Sequence, residues 1–396
     1  MRSLRALSLS FLLTAAAVAQ APYLVGNRDV AWPNTTGQGS ASLAARVYYP
    51  ATVAGSNTPL LARPGGWPAV VFLHGFAIGG TSYGTLAQAW AREGFVVVCN
   101  NTATFDNAGQ EADGRALFSA LVAANGSGPF AGGFDVQRVG LAGHSMGGGN
   151  VGNVLAANPG YRCGFALAPV TPRGNNAALV AVPFGIVVGT GDTIAPAATY
   201  AQPFYAALTG VAGHKFLYLM NGDCSHTNVA GLFLSGATAV AVFDRAAGVG
   251  LGFLRHWLTD SGTALEAAIG PGALAEPRLV SLSQAIEAPQ VWAVDVLRVG
   301  TTTRLSIAAE PGLGGALAAF ALAAPSPTPI GDLRLDAGSV FVAVVGVAGV
   351  ERRIDGAVGI PNDPGFVGLQ IALQAVGSTT SASLWLGGAA AYVVGS

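Results

Sequence analysis

The chain alternates short, wholly apolar runs with longer amphipathic stretches over its first two thirds. The runs Ala69–Leu73, Phe95–Cys99, Val139–Ala142, Cys163–Ala168, Phe184–Val188 and Phe216–Met220 read as strands buried on both faces, and Arg46–Tyr49 as a shorter one. Between them, Tyr83–Arg92, Glu111–Ala124, Thr199–Leu208 and Ala239–Leu258 carry helical patterns, the last weakened by Gly248, Gly250 and Gly252. Buried strands alternating with helices predict an α/β fold around a mostly parallel sheet. The pattern changes near Asp260–Pro277, where Ala, Gly and Pro dominate. Beyond it lie β-type runs at Val291–Val299, Thr302–Ala308, Val340–Val347, Phe366–Leu373 and Ser383–Val394. These predict an all-β, sandwich-like or jelly-roll-like domain.

The expected division is a signal peptide over 1–19, a catalytic domain over 20–262, a linker over 263–277 and a C-terminal β domain over 278–396. Arg2 and Arg5, the apolar Leu7–Ala16 and Ala17-Val18-Ala19 form the three parts of an export signal. The rest of the chain contains no stretch that reads as a transmembrane helix, so a secreted, soluble protein is expected. Charged residues make up only 10% of 396 and the net charge is −1, with Lys215 the one lysine. Nothing in that balance points to nucleic acid. Cys99, Cys163 and Cys224 are too few for a disulfide framework.

The strongest chemical signal is Gly143-His144-Ser145-Met146-Gly147, preceded by the strand Val139–Ala142 and followed by a helix-compatible Asn150–Ala157. Strand, tight turn and helix are the setting of a nucleophile elbow. A serine hydroxyl needs an imidazole to take its proton and a carboxylate to orient the imidazole. In this fold the acid and then the histidine follow later strands. Asp192 follows Phe184–Val188, and His226 follows Phe216–Met220. Asp223, on the His226 loop, is the competing acid. Of the other histidines, His74 and His144 lie too early, His214 precedes its strand, and His256 sits late in a helix beside Trp257. The amides of Phe76 and Met146 are the candidate oxyanion donors.

Four stretches resemble the bacterial cutinase and polyester-hydrolase (PET hydrolase-like) family of α/β-hydrolases. They are Leu73–Phe76; Phe95–Val98 with Asn101-Thr102; Asp135–Gly140 running into Gly143–Gly149; and Gly191–Pro196 with Pro203–Tyr205. The resemblance spans about residues 40–260. It implies Ser145 as nucleophile, Asp192 as acid, His226 as base, and Phe76 and Met146 as oxyanion hole, with no metal or organic cofactor. It also places Phe76, Met146, Thr171 and Pro172 along the substrate cleft and implies an ester or polyester substrate.

Three features depart from that family. Val170–Asn175 lacks the aromatic that usually follows the strand after the elbow helix. His226 and Trp257 are 31 residues apart, so Asn228–Phe243 reads as an insertion walling the cleft. The added β domain, of unknown ligand, is the third. A lipase for longer acyl chains, a serine peptidase of the same fold, and a non-catalytic secreted binding protein are the rival readings.

Overall fold

The computed structural model describes residues 22–157, 160–211, 214–286, 288–378 and 384–396. The expected signal peptide lies outside them. Ten strands form one sheet: β1 (Val25–Pro33), β2 (Ser42–Pro50), β3 (Gly55–Ser56), β4 (Trp67–Leu73), β5 (Val96–Asn100), β6 (Phe134–His144), β7 (Gly164–Leu167), β8 (Phe184–Gly189), β9 (Lys215–Met220) and β10 (Leu279–Ala285). Their order is β10-β9-β8-β7-β6-β4-β5-β2-β1-β3. The neighbours from β5 through β4 and β6 to β9 run parallel. β1 and β2 pair antiparallel on one side, β2 pairs antiparallel with β5, and β10 pairs antiparallel with β9 on the other. The sheet is therefore mixed, with a parallel centre. Every residue of β4 and β8 is buried, which is why these strands are unbroken apolar runs.

Helices α1 (Gly84–Arg92), α2 (Asn107–Ala124), α3 (Met146–Ala156), α4 (Ala201–Ala207) and α5 (Gly236–Thr259) connect and cover these strands. On α1, Leu86, Ala87, Trp90 and Ala91 form the buried stripe, and the Trp90 indole donates to the Ala247 carbonyl of α5 at 3.1 Å. α5 is long and apolar enough to cross a membrane by length and composition. Here Phe253, Leu254 and Leu258 of that helix are fully buried in the protein core. Its glycines let it close on the sheet: a Cβ at Gly250 would come within 2.7 Å of the Phe165 ring. Helix α5 begins at Gly236, so much of the stretch expected as an insertion is its first turns, and the loop from His226 is only Thr227–Ser235.

The expected linker is not a linker. Residues 263–277 hold two short helices, α6 (Glu266–Ile269) and α7 (Pro271–Leu274), and Leu265, Ala268, Ile269 and Ala273 enter the main core. Strand β10, expected in the second domain, extends the first sheet, because β9 would otherwise leave an open edge. The expected boundary at 278 falls just before this strand.

The remainder is β structure: β11 (Gln290–Ala293), β12 (Thr302–Ala308), β13 (Gly312–Ala319), β14 (Leu322–Thr328), β15 (Gly331–Leu335), β16 (Phe341–Ala348), β17 (Arg353–Gly359), β18 (Gln370–Ser378) and β19 (Leu384–Val393). They form sheets β11-β12-β17 and β16-β13-β18-β19 and the hairpin β14-β15. Leu305, Ile307 and Ile354 of the first sheet share a core with Ala316, Ala318, Leu373 and Ala375 of the second.

Candidate active site

Ser145 stands between β6 and α3 with φ 56° and ψ −119°, a backbone conformation that side-chain-bearing residues rarely adopt. Its neighbours hold it there. The Ser145 amide donates to the Leu167 carbonyl at 3.0 Å, and the Ser145 carbonyl accepts from Gly149 and Val170, each at 3.1 Å. The flanking glycines are sterically required: a Cβ at Gly143 would lie 2.5 Å from the Gly147 oxygen, and one at Gly147 would lie 2.2 Å from the Leu73 oxygen. The strained turn projects the hydroxyl from the carboxyl edge of the sheet.

The loops after β8 and β9 reach the same edge. His226 Nε2 lies 2.9 Å from Ser145 Oγ, and His226 Nδ1 lies 2.7 Å from Asp192 Oδ2. A carboxylate only accepts, so Nδ1 carries the proton and Nε2 is free to accept from the serine. Asp192 is buried, and its other oxygen accepts from the amides of Ile194 at 2.9 Å and Ala195 at 2.7 Å. Asp223 points elsewhere: its carboxylate is exposed, 3.4 Å from Asn221 Nδ2 and 4.0 Å from Arg278 Nε. The structure thus brings Ser145, His226 and Asp192 together and leaves Asp223 apart.

His144 is buried behind His226. Its Nε2 lies 2.7 Å from the His226 carbonyl, which only accepts, so Nε2 holds the proton. Nδ1 then accepts from Tyr83 Oη at 2.9 Å, and Tyr83 Oη accepts from the Gly75 amide at 2.8 Å. Burial, reinforced by the adjacent His226, pushes the His144 pKa down to about 3, so the ring is neutral. His74 is likewise buried, with Nε2 at 2.8 Å from the Thr102 carbonyl.

Met146 is the first residue of α3, so its amide has no acceptor within the helix. Phe76 follows β4. The amides on either side of it are engaged, Gly75 with Tyr83 Oη and Ala77 with the Thr104 carbonyl at 2.9 Å. Among the described residues the Phe76 amide has no acceptor. The Phe76 ring is exposed and meets the exposed Phe105 edge-on, with centroids 5.5 Å apart. Ile194 and Phe233 are exposed on other loops of this edge. Phe105 escaped the sequence reading, although its place in the loop after β5 puts it on the carboxyl edge.

Thr171 is exposed, and its hydroxyl donates to the Tyr200 carbonyl at 3.2 Å. Pro172 departs from its expected place along the cleft. It is buried against α3, where a Cβ on Gly152 would come within 2.7 Å of its ring. Arg173 is tied to Glu111 and, through its amide, to Asn153. Cys99, Cys163 and Cys224 are all buried free thiols.

The PET hydrolase-like family matches residues 13–275, about two thirds of the chain. The chain belongs to that family. The family implies the α/β-hydrolase fold, and the parallel-centred sheet agrees with it. A bis(hydroxyethyl) terephthalate hydrolase of Streptomyces coelicolor is 32% identical over 217 residues, 53% of this chain and 64% of that protein. Cutinase 1 of Thermobifida cellulosilytica is 30% identical over 204 residues, 50% of this chain and 70% of the cutinase. A cutinase of Thermobifida fusca is 30% identical over 204 residues, 50% of this chain and 61% of its own length. The chain thus spans less than two thirds of the length of the Streptomyces relative.

Proposed function

We propose that this protein is a secreted serine hydrolase of carboxylic esters, with Ser145 as nucleophile, His226 as general base and acid, and Asp192 as the group that orients His226. The observation that carries this reading is the unbroken line from Ser145 Oγ through the His226 ring to Asp192 Oδ2, with spacings of 2.9 and 2.7 Å. His226 Nε2 takes the serine proton as Oγ attacks the ester carbonyl. Asp192 stabilises the imidazolium that forms. The amides of Phe76 and Met146 receive the oxyanion, and the N-terminal dipole of α3 favours the charge there. His226 returns the proton to the leaving alcohol. Water then repeats the sequence on the acyl-enzyme.

The exposed Phe76, Phe105, Ile194 and Phe233 on loops of the same edge support an apolar ester or polyester substrate. The basic, apolar and small-residue blocks of residues 1–19 support export. We read residues 20–285 as the catalytic unit and the β structure from Gln290 onward as an appended β-sandwich. A fluorophosphonate probe tests the reading. Labelling of the wild type and not of Ser145→Ala is expected; equal labelling of both, or of neither, overturns it.

A further inference from the structure

A cavity of about 460 Å³ lies between the catalytic unit and the β structure, within the size range of ligand pockets. Its first wall is the opposite edge of the main sheet from Ser145. Arg162 precedes β7, His214 precedes β9, and His256, Trp257 and Asp260 lie at the C-terminal end of α5. Its second wall comes from the C-terminal strands, with Gln290 on β11, Asp332 and Arg334 on β15, and Trp385 on β19. Nothing in the proposed ester chemistry uses these residues.

We infer that this cavity binds a neutral, hydroxyl-rich ring, the chemistry of a sugar unit. The first argument is unmet hydrogen bonding. Trp257 Nε1, Gln290 Oε1 and a ring nitrogen of His214 are buried without a hydrogen-bond partner among the described residues, and all line this one cavity. His214 is 97% buried, and among the described residues the Ala288 backbone is the one group that pairs with its ring. Native structures leave few such groups unpaired, so an occupant with polar atoms is called for. A neutral imidazole, an indole N–H and an amide oxygen together offer both donors and acceptors. Hydroxyls, which do both, answer that mixture.

The second argument is charge. Arg162 and Arg334 are matched by Asp260 and Asp332, so the lining favours neither an anion nor a cation. Asp260 also pairs with Arg138 at 2.8 Å, and Arg138 in turn reaches Asp135 at 3.3 Å, so the charges around the cavity still balance. The side chains of Arg162, Arg334 and Asp332 form no ion pair among the described residues, leaving planar polar groups free for vicinal hydroxyls.

The third is shape. The Trp385 indole rests on Gly331, where an added Cβ would come within 3.0 Å of the ring, yet it stays 43% exposed. A supported, half-open indole is a platform for the apolar face of a pyranose ring. Occupancy would hold the protein on a glycan with the Ser145 edge facing away from the anchor.

Water could meet the same orphan atoms, and the experiment separates the two occupants. The full chain is titrated with cellobiose, maltose, xylobiose, mannobiose and diacetylchitobiose by calorimetry, with terephthalate as the anionic control. The ligand bridges two units of the fold, so the thermal midpoint is followed as well. At least one disaccharide is expected to bind and raise the midpoint. Trp385→Ala and Asp332→Asn should each weaken that binding at least tenfold and hydrolyse p-nitrophenyl butyrate like the wild type. Silence from all five sugars up to ~10 mM, above a weak millimolar Kd, means water alone fills the cavity and overturns the inference. So does sugar binding unchanged in both variants, or binding of terephthalate alone.

Discussion

Tyr83 Oη lies 2.9 Å from His144 Nδ1, and this contact couples the loop that carries Phe76 to the loop that carries His226. On one side Tyr83 accepts from the Gly75 amide, one residue before Phe76. On the other, His144 donates to the His226 carbonyl. Both proposed elements, oxyanion donor and base, therefore hang on one buried chain of hydrogen bonds.

Tyr83→Phe leaves the Gly75 amide and His144 Nδ1 without their partner. A buried group so stranded costs about 1–3 kcal/mol, so the unfolding midpoint should drop. If the chain also positions the proposed base and oxyanion donor, kcat should fall about tenfold, equivalent to roughly 1.4 kcal/mol in the barrier, with KM little changed. Steady-state kinetics on the folded protein decide it. A lower midpoint with unchanged kcat would confine Tyr83 to stability.

The proposed acid is tested by an amide. Asp192 Oδ1 faces two backbone donors, so the side chain introduced by Asp192→Asn would keep its carbonyl there and turn its NH2 toward His226. That reverses the tautomer and takes the free lone pair from Nε2. The expected loss is on the order of 10³–10⁴ in kcat, smaller than that of Ser145→Ala. Asp223→Asn should be mild, because its carboxylate faces Asn221 and Arg278. The reverse ranking would make Asp223 the acid.

How much of this was legible depends on burial. β4 to β9 lie in the middle of the sheet with both faces covered, so their apolar runs stand out. β1 was missed because Asn27, Arg28 and Asp29 interrupt it, and they can, since β1 lies toward the sheet edge with much of its surface open. β10 mixes serine and glutamine with its apolar residues soon after Pro277 and sits at the other edge, so it looked like the start of a new domain. α6 and α7 span only four residues each, too few for a helical period to register. β14 carries Pro325 and Pro327, residues tolerated there because it belongs to an exposed two-stranded hairpin. At the site, Ser145, Asp192 and His226 were readable because each follows a buried strand. Tyr83 was not, since its role depends on a contact 61 positions away in sequence.

Truncation follows from where the core ends. A chain cut after residue 262 loses Leu265, Ala268, Ile269 and Ala273 from the main core and strips β9 of its outer partner. Such a chain should be insoluble or lack a cooperative unfolding transition. A chain ending after Ile286 keeps those groups and loses Trp292 and Ala308. It should fold with a lower midpoint and still cleave short esters. Normal folding of the shorter chain would refute this account of β10.

Acid should weaken the fold. Burial lowers the pKa of both His144 and His214 to about 3, against about 6.5 in an unfolded chain. Between those values the unfolded state binds more protons than the folded one, so stability falls as pH falls from 6.5 toward 3. The contribution is full above pH 6.5, and the slope is roughly 1.4 kcal/mol per pH unit for each histidine. Urea midpoints at several pH values measure it. His214→Gln should flatten the acid limb by the share of one histidine, and a midpoint independent of pH below 6.5 would count against it.

The last prediction concerns which esters fit. Val170–Asn175 offers no aromatic to hold a flat acyl group, and the exposed pair Phe76 and Phe105 supplies aromatic surface from other loops. We expect good hydrolysis of short aliphatic esters such as butyrates and weak hydrolysis of aromatic polyester. Of the three positions at the head of that loop, Pro172 is buried against Gly152 and Arg173 is pinned to Glu111. Thr171 is exposed and held only by one hydroxyl contact. Thr171→Trp should therefore raise aromatic-ester turnover three- to tenfold, since an aromatic contact contributes roughly 0.5–1.5 kcal/mol beyond burial. Pro172→Trp should instead lower stability by crowding α3. Phe105→Ala should reduce activity on bulky apolar esters more than on acetate esters. Release of product from aromatic polyester film, compared with butyrate turnover by the same preparation, is the measurement. Wild-type rates on the film rivalling those on butyrate would show that Phe76 and Phe105 already do the work assigned to the missing ring.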